Sequence, residues 1–217
     1  MLYSFPNFPG GGWEVQYASD LYVDLGLPSG LKWATCNVGA VRPEIYGNHI
    51  AWGETIGVIE GKTSFDWSTY AWGNAENALT KYCSKSEYGK DGFTDALTTL
   101  EKEDDAAYAA LGGKFRMPTH GEWEELFYNT TSTWTQQGGI NGRLFSATNG
   151  KSLFLPAAGQ RSTRGHEYAG FAGFYSSSSF NTKYEPKSAR NLQLNIGTAM
   201  GGSYERYRGF SIRPVSD

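Results

Sequence analysis

Polar and apolar positions alternate through LYVDLGLPSGLKWATCNVGA (residues 21–40) on both sides of a PSG turn, and this period of two predicts a β-hairpin. Similar short patterns, each bounded by Gly, Asn, Ser or Pro, recur in GRLFSA, KSLFLPAAG, GFYSSSS, ARNLQLNI and FSIRPV. The second half of the chain therefore reads as a run of antiparallel strands. In ARNLQLNI the residues Leu192, Leu194 and Ile196 are expected to point inward. In FSIRPV, Phe210 and Ile212 oppose Ser211 and Arg213, as in a half-buried strand that returns beside the first. Directly before it the pattern fails, because GGSYERY (201–207) crowds aromatic and charged side chains with no apolar period.

Two segments carry helix signals. In TTLEKEDDAAYAALGG (98–113), Thr98 and Glu101 have the spacing of a capping box and Gly112 and Gly113 end the run. Glu101, Glu103, Asp104 and Asp105 then read as helix-start acids favoured by the dipole, the alternative being a cation site. In PTHGEWEELFYN (118–129), Thr119 and Glu122 stand in the same cap relation, and Trp123, Leu126 and Phe127 form one apolar face. Residues 44–95 hold no period for long but scatter Trp52, Trp67, Trp72, Tyr70, Tyr82 and Tyr88 among glycines, which predicts a long loop region stapled by aromatics. Residues 1–20, rich in Gly, Pro and aromatics, read as an arm or linker able to serve as a homo-oligomer contact, ahead of a single domain over 21–217. Hairpin, loops, two helices and then strands make an α+β arrangement.

Composition sharpens this picture. With 15% aromatic residues, 28 glycines and only 19% charged residues, short strands and ordered loops fit better than a helical bundle. The net charge of −3, without a basic block, disfavours nucleic-acid binding through a cationic face. The amino end lacks the basic start and apolar run of a secretory signal, and no stretch approaches membrane-spanning length, so no membrane insertion is expected. Cys36 and Cys83 either pair once or remain ordinary thiols. His49, His120 and His166 lie far apart in sequence without paired metal-ligand spacing, no nucleophile elbow or phosphate-cradling loop is present, and neither a metal nor another cofactor is expected.

The segment FRMPTHGEWEEL resembles the RLPTEAEWE element of the C-type lectin-like superfamily branch that includes the formylglycine-generating and sulfatase-modifying enzymes. The wider set LPSGLKWATCNVGA, AWGET, LTKYC, EDDAAYAALGGKFRMPT, LFLPAAG, FYSSSS and GFSIRPV is similar to the Fibrobacter succinogenes major paralogous domain, a C-type lectin-like module of Bacteroides-type proteins, over nearly the whole chain. The resemblance implies two helices beside twisted antiparallel sheets, with the chain ends close together. Thr119, Glu122, Trp123, Phe210, Ile212 and Arg213 would belong to the frame, Arg213 pairing with a carboxylate or with loop carbonyls. Formylglycine-generating relatives work through a cysteine pair near the carboxyl end, and this chain has no cysteine after Cys83, so no enzymatic activity is expected. Lectins of this fold that hold sugars through calcium use a Glu-Pro-Asn or Gln-Pro-Asp type loop. Here the nearest string, 184–187, puts Lys187 where an amide or acid ligand is required.

The fold also implies that the last strands and their loops, about 174–208, form the ligand-facing surface. Tyr184, Tyr204 and Tyr207 would then be aromatic anchors, Glu185, Glu205 and Arg206 would set electrostatic selectivity, and Asn181, Thr182, Asn195, Thr198 and Ser203 would make adaptable polar contacts. Phe180, Lys183 and Met200 complete that face. An irregular Asn-, Tyr-, Ser- and Thr-bearing stretch closing on GFSIRPV resembles the variable proteins of diversity-generating retroelements, in which an error-prone reverse transcriptase rewrites adenines at the 3′ end of the gene. That resemblance implies a binding protein of a phage tail or a bacterial cell surface, with a bacterial surface protein or glycan as ligand. The alternative is a non-diversified Bacteroides-type surface module that binds glycan or protein.

Overall fold

The computed structural model describes residues 21–180 and 185–217. The predicted arm, and any oligomer contact through it, lies outside the described residues. The architecture is α+β, with few helices and four small antiparallel sheets. The predicted hairpin is present as β1 (Tyr22–Asp24) and β2 (Lys32–Ala34), closed by Gly30 N–H donating to the Leu27 carbonyl at 2.9 Å. β3 (Ile50–Ala51) follows, and then a long region with only short 3-10 turns in which Trp52, Tyr70 and Tyr82 are buried. Those rings staple the loops onto the body through two satellite clusters, as the aromatic scatter predicts.

The helices are α1 (Ala106–Ala110) and α2 (His120–Asn129). The first is shorter than its sequence signal and starts elsewhere: its cap is Asp105, not Thr98. The Asp105 carboxylate accepts from Ala107 N (2.9 Å) and Tyr108 N (3.0 Å), and also from Met117 N at 2.8 Å, a tie across the chain that no local spacing reveals. Asp104 is spent on an ion pair with Lys81 at 2.7 Å rather than on a helix dipole. At α2, Thr119 Oγ1 accepts from Glu122 N (3.2 Å) and Glu122 accepts from Thr119 N (2.7 Å), a complete capping box. The Glu122 carboxylate is clamped in addition by both terminal nitrogens of Arg116, at 2.7 and 2.8 Å.

After α2 come β4 (Thr131–Gln137), β5 (Ile140–Ser146), β6 (Ser152–Pro156), β7 (Gln160–Ser162), β8 (Gly165–Glu167), β9 (Ala172–Phe180), β10 (Ser188–Asn195), β11 (Ala199–Glu205), β12 (Gly209–Phe210) and β13 (Val215–Ser216). Their orders are β1-β2-β13, β3-β12-β7-β8, β4-β5-β6 and β11-β10-β9. The main core gathers Leu25, Leu31, Trp33, Trp123, Phe145, Leu155, Tyr175, Leu192, Leu194 and Val215, with the Trp33 and Trp123 rings 4.6 Å apart. Among the described residues no helix is long and apolar enough to cross a membrane.

The carboxyl-terminal segment differs from its expectation. It is not one half-buried strand but two short ones joined by a buried link, and Phe210, Ser211, Ile212, Arg213 and Val215 are all buried. The cause is topological. Gly209 pairs with Ala51 and Arg161, Ser211 exchanges bonds with Phe174 and Ser176 of β9, and Val215 pairs with Trp33 of β2. One stretch of backbone thus threads three sheets, so both of its faces meet protein. The return is to the hairpin, with β2 rather than β1 as the bonded partner.

Candidate binding surface

β11 is the edge of its sheet, and every one of its residues pairs with β10, from Ser188↔Glu205 to Leu194↔Ala199. The stretch without an apolar period is therefore ordered by its neighbour, and facing pairs share a side. On the inner side, Leu192, Leu194 and Ala199 enter the main core. Gly201 lies on that side against the first turn of α2, where a Cβ would stand 2.7 Å from the His120 ring. Ile196, expected to continue the inward series, is instead 74% exposed, because the strand ends at Asn195 and the chain turns.

The outer side carries Met200, Gly202 and Tyr204 opposite Gln193, Asn191 and Ala189. Gly202 leaves room for the Gln193 amide, whose nitrogen would come within 1.7 Å of an added Cβ. Tyr204 is no loose anchor: its ring packs at 5.7 Å on Phe174 and 6.0 Å on Phe210, themselves stacked at 5.5 Å. The Arg208 guanidinium sits over Tyr204 (5.1 Å) and Tyr207 (5.9 Å) and pairs with Glu205 at 2.7 Å. Tyr207 in turn meets Trp67 edge-on at 5.1 Å. A strip of π faces and one charge pair thus runs from Trp67 across the 205–208 turn to Phe174 and Tyr168. Burial by itself would raise the Glu205 carboxyl, but the hydrogen bond and charge of Arg208 outweigh it and hold Glu205 below the usual carboxylate range. Burial raises the Tyr207 hydroxyl, and the Glu205 charge adds to that.

Several expected face residues prove to be frame. Phe180 is buried against Trp52, Tyr82 and Ala189. Arg206, only 1% exposed, points inward between Trp52 and Tyr70, 5.4 and 5.6 Å from their rings, and donates to the Lys81 and Tyr82 carbonyls. It cannot set surface selectivity, because its charge is desolvated under the loop layer. The side chain of Asn195 accepts from Gly197 N and Thr198 N, building the β10–β11 turn rather than a contact, and Thr198 Oγ1 donates to the Ala199 carbonyl. Ser203 Oγ donates to the Ala189 carbonyl at 3.2 Å. Asn181, Thr182, Lys183 and Tyr184 lie outside the described residues.

Glu185 is exposed and held by Lys187 at 3.0 Å. Lys187 and the Tyr88 hydroxyl, both bonded to it, keep its carboxyl below the usual range. Lys187 also reaches Glu76 at 2.8 Å, so the loop expected not to hold calcium is cross-braced by its lysine. Met200 is half exposed at the outer edge. Arg213, with no exposed surface, donates to Asn37 Oδ1 (2.9 Å) and to the Ala34 (3.2 Å) and Thr35 (2.7 Å) carbonyls, and Trp123 Nε1 donates to the Ser176 carbonyl at 3.2 Å.

The sequence reading omitted Arg208, Trp67, Tyr168 and Phe171 from this surface. Arg208 had a usable signal, standing three residues after Glu205 and four after Tyr204. The two rings at 168 and 171 are exposed and stand on a tight turn in which Tyr168 has φ 61, a conformation unusual for a side chain of that bulk. Trp67 joins through tertiary folding alone.

Histidines separated in sequence partly converge. His49 and His166 lie 5.0 Å apart, and each places Nε2 on the Ala158 carbonyl, at 3.0 and 2.8 Å. Among the described residues no group of three or more metal-ligating side chains forms. Cys36 and Cys83 form no disulfide, and burial pushes the Cys83 thiol up. Compared with known proteins, the chain matches no family model, no curated protein and no solved structure.

Proposed function

We propose that the chain is a non-catalytic ligand-binding protein on a C-type lectin-like scaffold. Its binding surface is the outer side of β11 and the 205–208 turn, diversified by a retroelement and displayed on a phage tail or bacterial surface toward a surface protein or glycan. The observation that carries this reading is the split within β11. Ala199 and its neighbours Leu192 and Leu194 are locked in the main core, while Met200 is exposed and Tyr204, Glu205 and Tyr207 are half-buried on backbone fixed by that pairing. Loops and edges held by a rigid frame are where recognition concentrates, and Tyr with small polar residues supplies contact area at low entropic cost. Burial of Cys83 and its raised thiol argue against that residue as a thiolate nucleophile.

A second reading, a non-diversified surface module, draws support from the packing of Tyr204 on Phe174 and Phe210 and of Tyr207 on Trp67. Residues so engaged lose packing when exchanged. Sequencing the locus from many cells separates the two. Diversification requires adenine-directed differences among the codons for 200–207, a near-copy of those codons downstream and a reverse transcriptase gene beside it. Invariant codons with neither element leave only the fixed module.

A further inference from the structure

A separate cleft of about 600 Å³ opens in the loop layer, lined by residues 53–56, 61–64, 69, 71–72 and 103–104. Its size is that of a small-molecule site. Two of its three carboxylates are already spent. Glu54 pairs with Lys62 at 2.5 Å and accepts from Ala71 N at 2.8 Å, while Lys62 also donates to the Thr69 carbonyl. Asp104 is held by Lys81 and the Tyr82 hydroxyl. Lys81 is shared with Glu101 at 2.6 Å, so these ties stiffen the floor and leave it mildly negative. The cleft does not collect anions, and its carboxylates form no group able to hold a metal ion among the described residues. What remains along its walls are the exposed hydroxyls of Thr55, Thr63 and Ser64, the exposed Glu103 carboxylate, and apolar surface from Ile56 and Trp72.

Trp72 is fixed by its Nε1 donating to the Gly53 carbonyl at 2.6 Å and by the Lys81 ammonium 5.0 Å from its ring. Hydroxyls that both donate and accept, one exposed carboxylate and the apolar surface of Trp72 and Ile56 complement a ligand that alternates hydroxyl groups with C–H faces. We propose that this cleft is a binding site for a neutral sugar of one to three rings, distinct from the β11 surface. The two sites adjoin through one loop: Trp67, between the cleft-lining Ser64 and Thr69, meets Tyr207 of the surface. The cleft would thus supply a sugar contact that does not depend on which side chains occupy β11.

The test uses the full chain, isotopically labelled, titrated with cellobiose, maltose, lactose and N,N′-diacetylchitobiose to concentrations of about 10 mM, above the millimolar affinity expected of a shallow site. The expected result is saturable movement of amide signals in 53–72 and 103–104 with at least one sugar, and a tenfold or greater loss of affinity in the doubly substituted Ser64→Ala, Glu103→Gln chain. Both positions are exposed, and the spectrum of the variant itself reports whether it remains folded; if it does not, Thr63→Ala is measured with the same expectation. No movement with any of the four sugars, movement confined to other residues, or equal affinity in the folded variants overturns the proposal. Free sugars probe the cleft and sequence variation probes β11, so each reading can fail without the other.

Discussion

Residues 199–205 and 209–216 are near neighbours in the chain, and both are extended, yet they have opposite freedoms. β11 has one bonded neighbour and one free edge; the terminal segment has neighbours on every side, from β3, β7, β9 and β2. The difference is not simply composition, since each contains an aromatic and a serine. Position in the topology decides it. An arginine at 206 or 213 is desolvated and bonded to loop carbonyls, whereas the arginine at 208 lies over tyrosines at the surface. Substitutions should therefore be felt as stability in one segment and as recognition in the other.

The largest effect is expected at Arg213. Arg213→Ala strands the Ala34 and Thr35 carbonyls and the Asn37 side chain beneath the hairpin and opens a cavity, and we expect a loss of about 3–5 kcal/mol in urea denaturation. A loss under about 1 kcal/mol would equate the terminal segment with β11 and remove the distinction.

Next is acid. Burial above all, with the neighbouring His166 charge and Arg161, lowers the folded pKa of His49 to about 4 from 6.5, and the Ala158 and Gly159 backbone only partly offsets this. The neutral imidazole is the stable form. Its contribution is full above about pH 6.5 and is lost as pH falls toward 4, with a slope near one proton and a total of about 3 kcal/mol. His49→Gln is expected to flatten that slope in denaturation curves taken from pH 7 to 4. An unchanged slope assigns the acid sensitivity to other groups.

A smaller loss is expected at the helix cap, where Thr119→Ala removes one side-chain acceptor and costs about 1 kcal/mol. Thr119→Ser should recover most of it. The same two-state denaturation measures both.

That cap was legible in the sequence because every group it needs lies within four residues. The α1 cap was misread for the complementary reason: Thr98 and Glu101 satisfy the local rule, but Asp105 wins by also accepting Met117 N from beyond the helix. β4 (TSTWTQQ) was passed over because its polar face leaves no apolar run, and it is specified by pairing with β5. Likewise the alternation of FSIRPV was read correctly as extended chain and wrongly as half exposed, since the elements that cover Ser211 and Arg213 come from over thirty residues earlier in the sequence or more. Tyr204, Glu205 and Tyr207 were singled out from residue type and fold position, and all three are half-buried. Arg206 was not separable from Arg208 without knowing which side of the turn meets Trp52.

That last pair frames the smallest stability effect and the sharpest test of recognition. Glu205 and Arg208 form one half-buried ion pair over two tyrosines, and pairs near the surface contribute about 1 kcal/mol or less once solvent screening is counted. The charge-reversed chain, Glu205→Arg with Arg208→Glu, is expected to melt within about two degrees of the original. Its field at the 205–208 turn is nevertheless inverted, so a partner selected against the original surface should bind it at least tenfold more weakly and with the opposite dependence on salt. Arg206→Ala supplies the contrast, because it should lower stability by more than about 2 kcal/mol while the molecules that remain folded keep the original salt dependence. If instead Arg206→Ala alters the salt dependence of binding and the reversed pair does not, the buried and half-buried arginines have exchanged roles, and the division between frame and face falls at that turn.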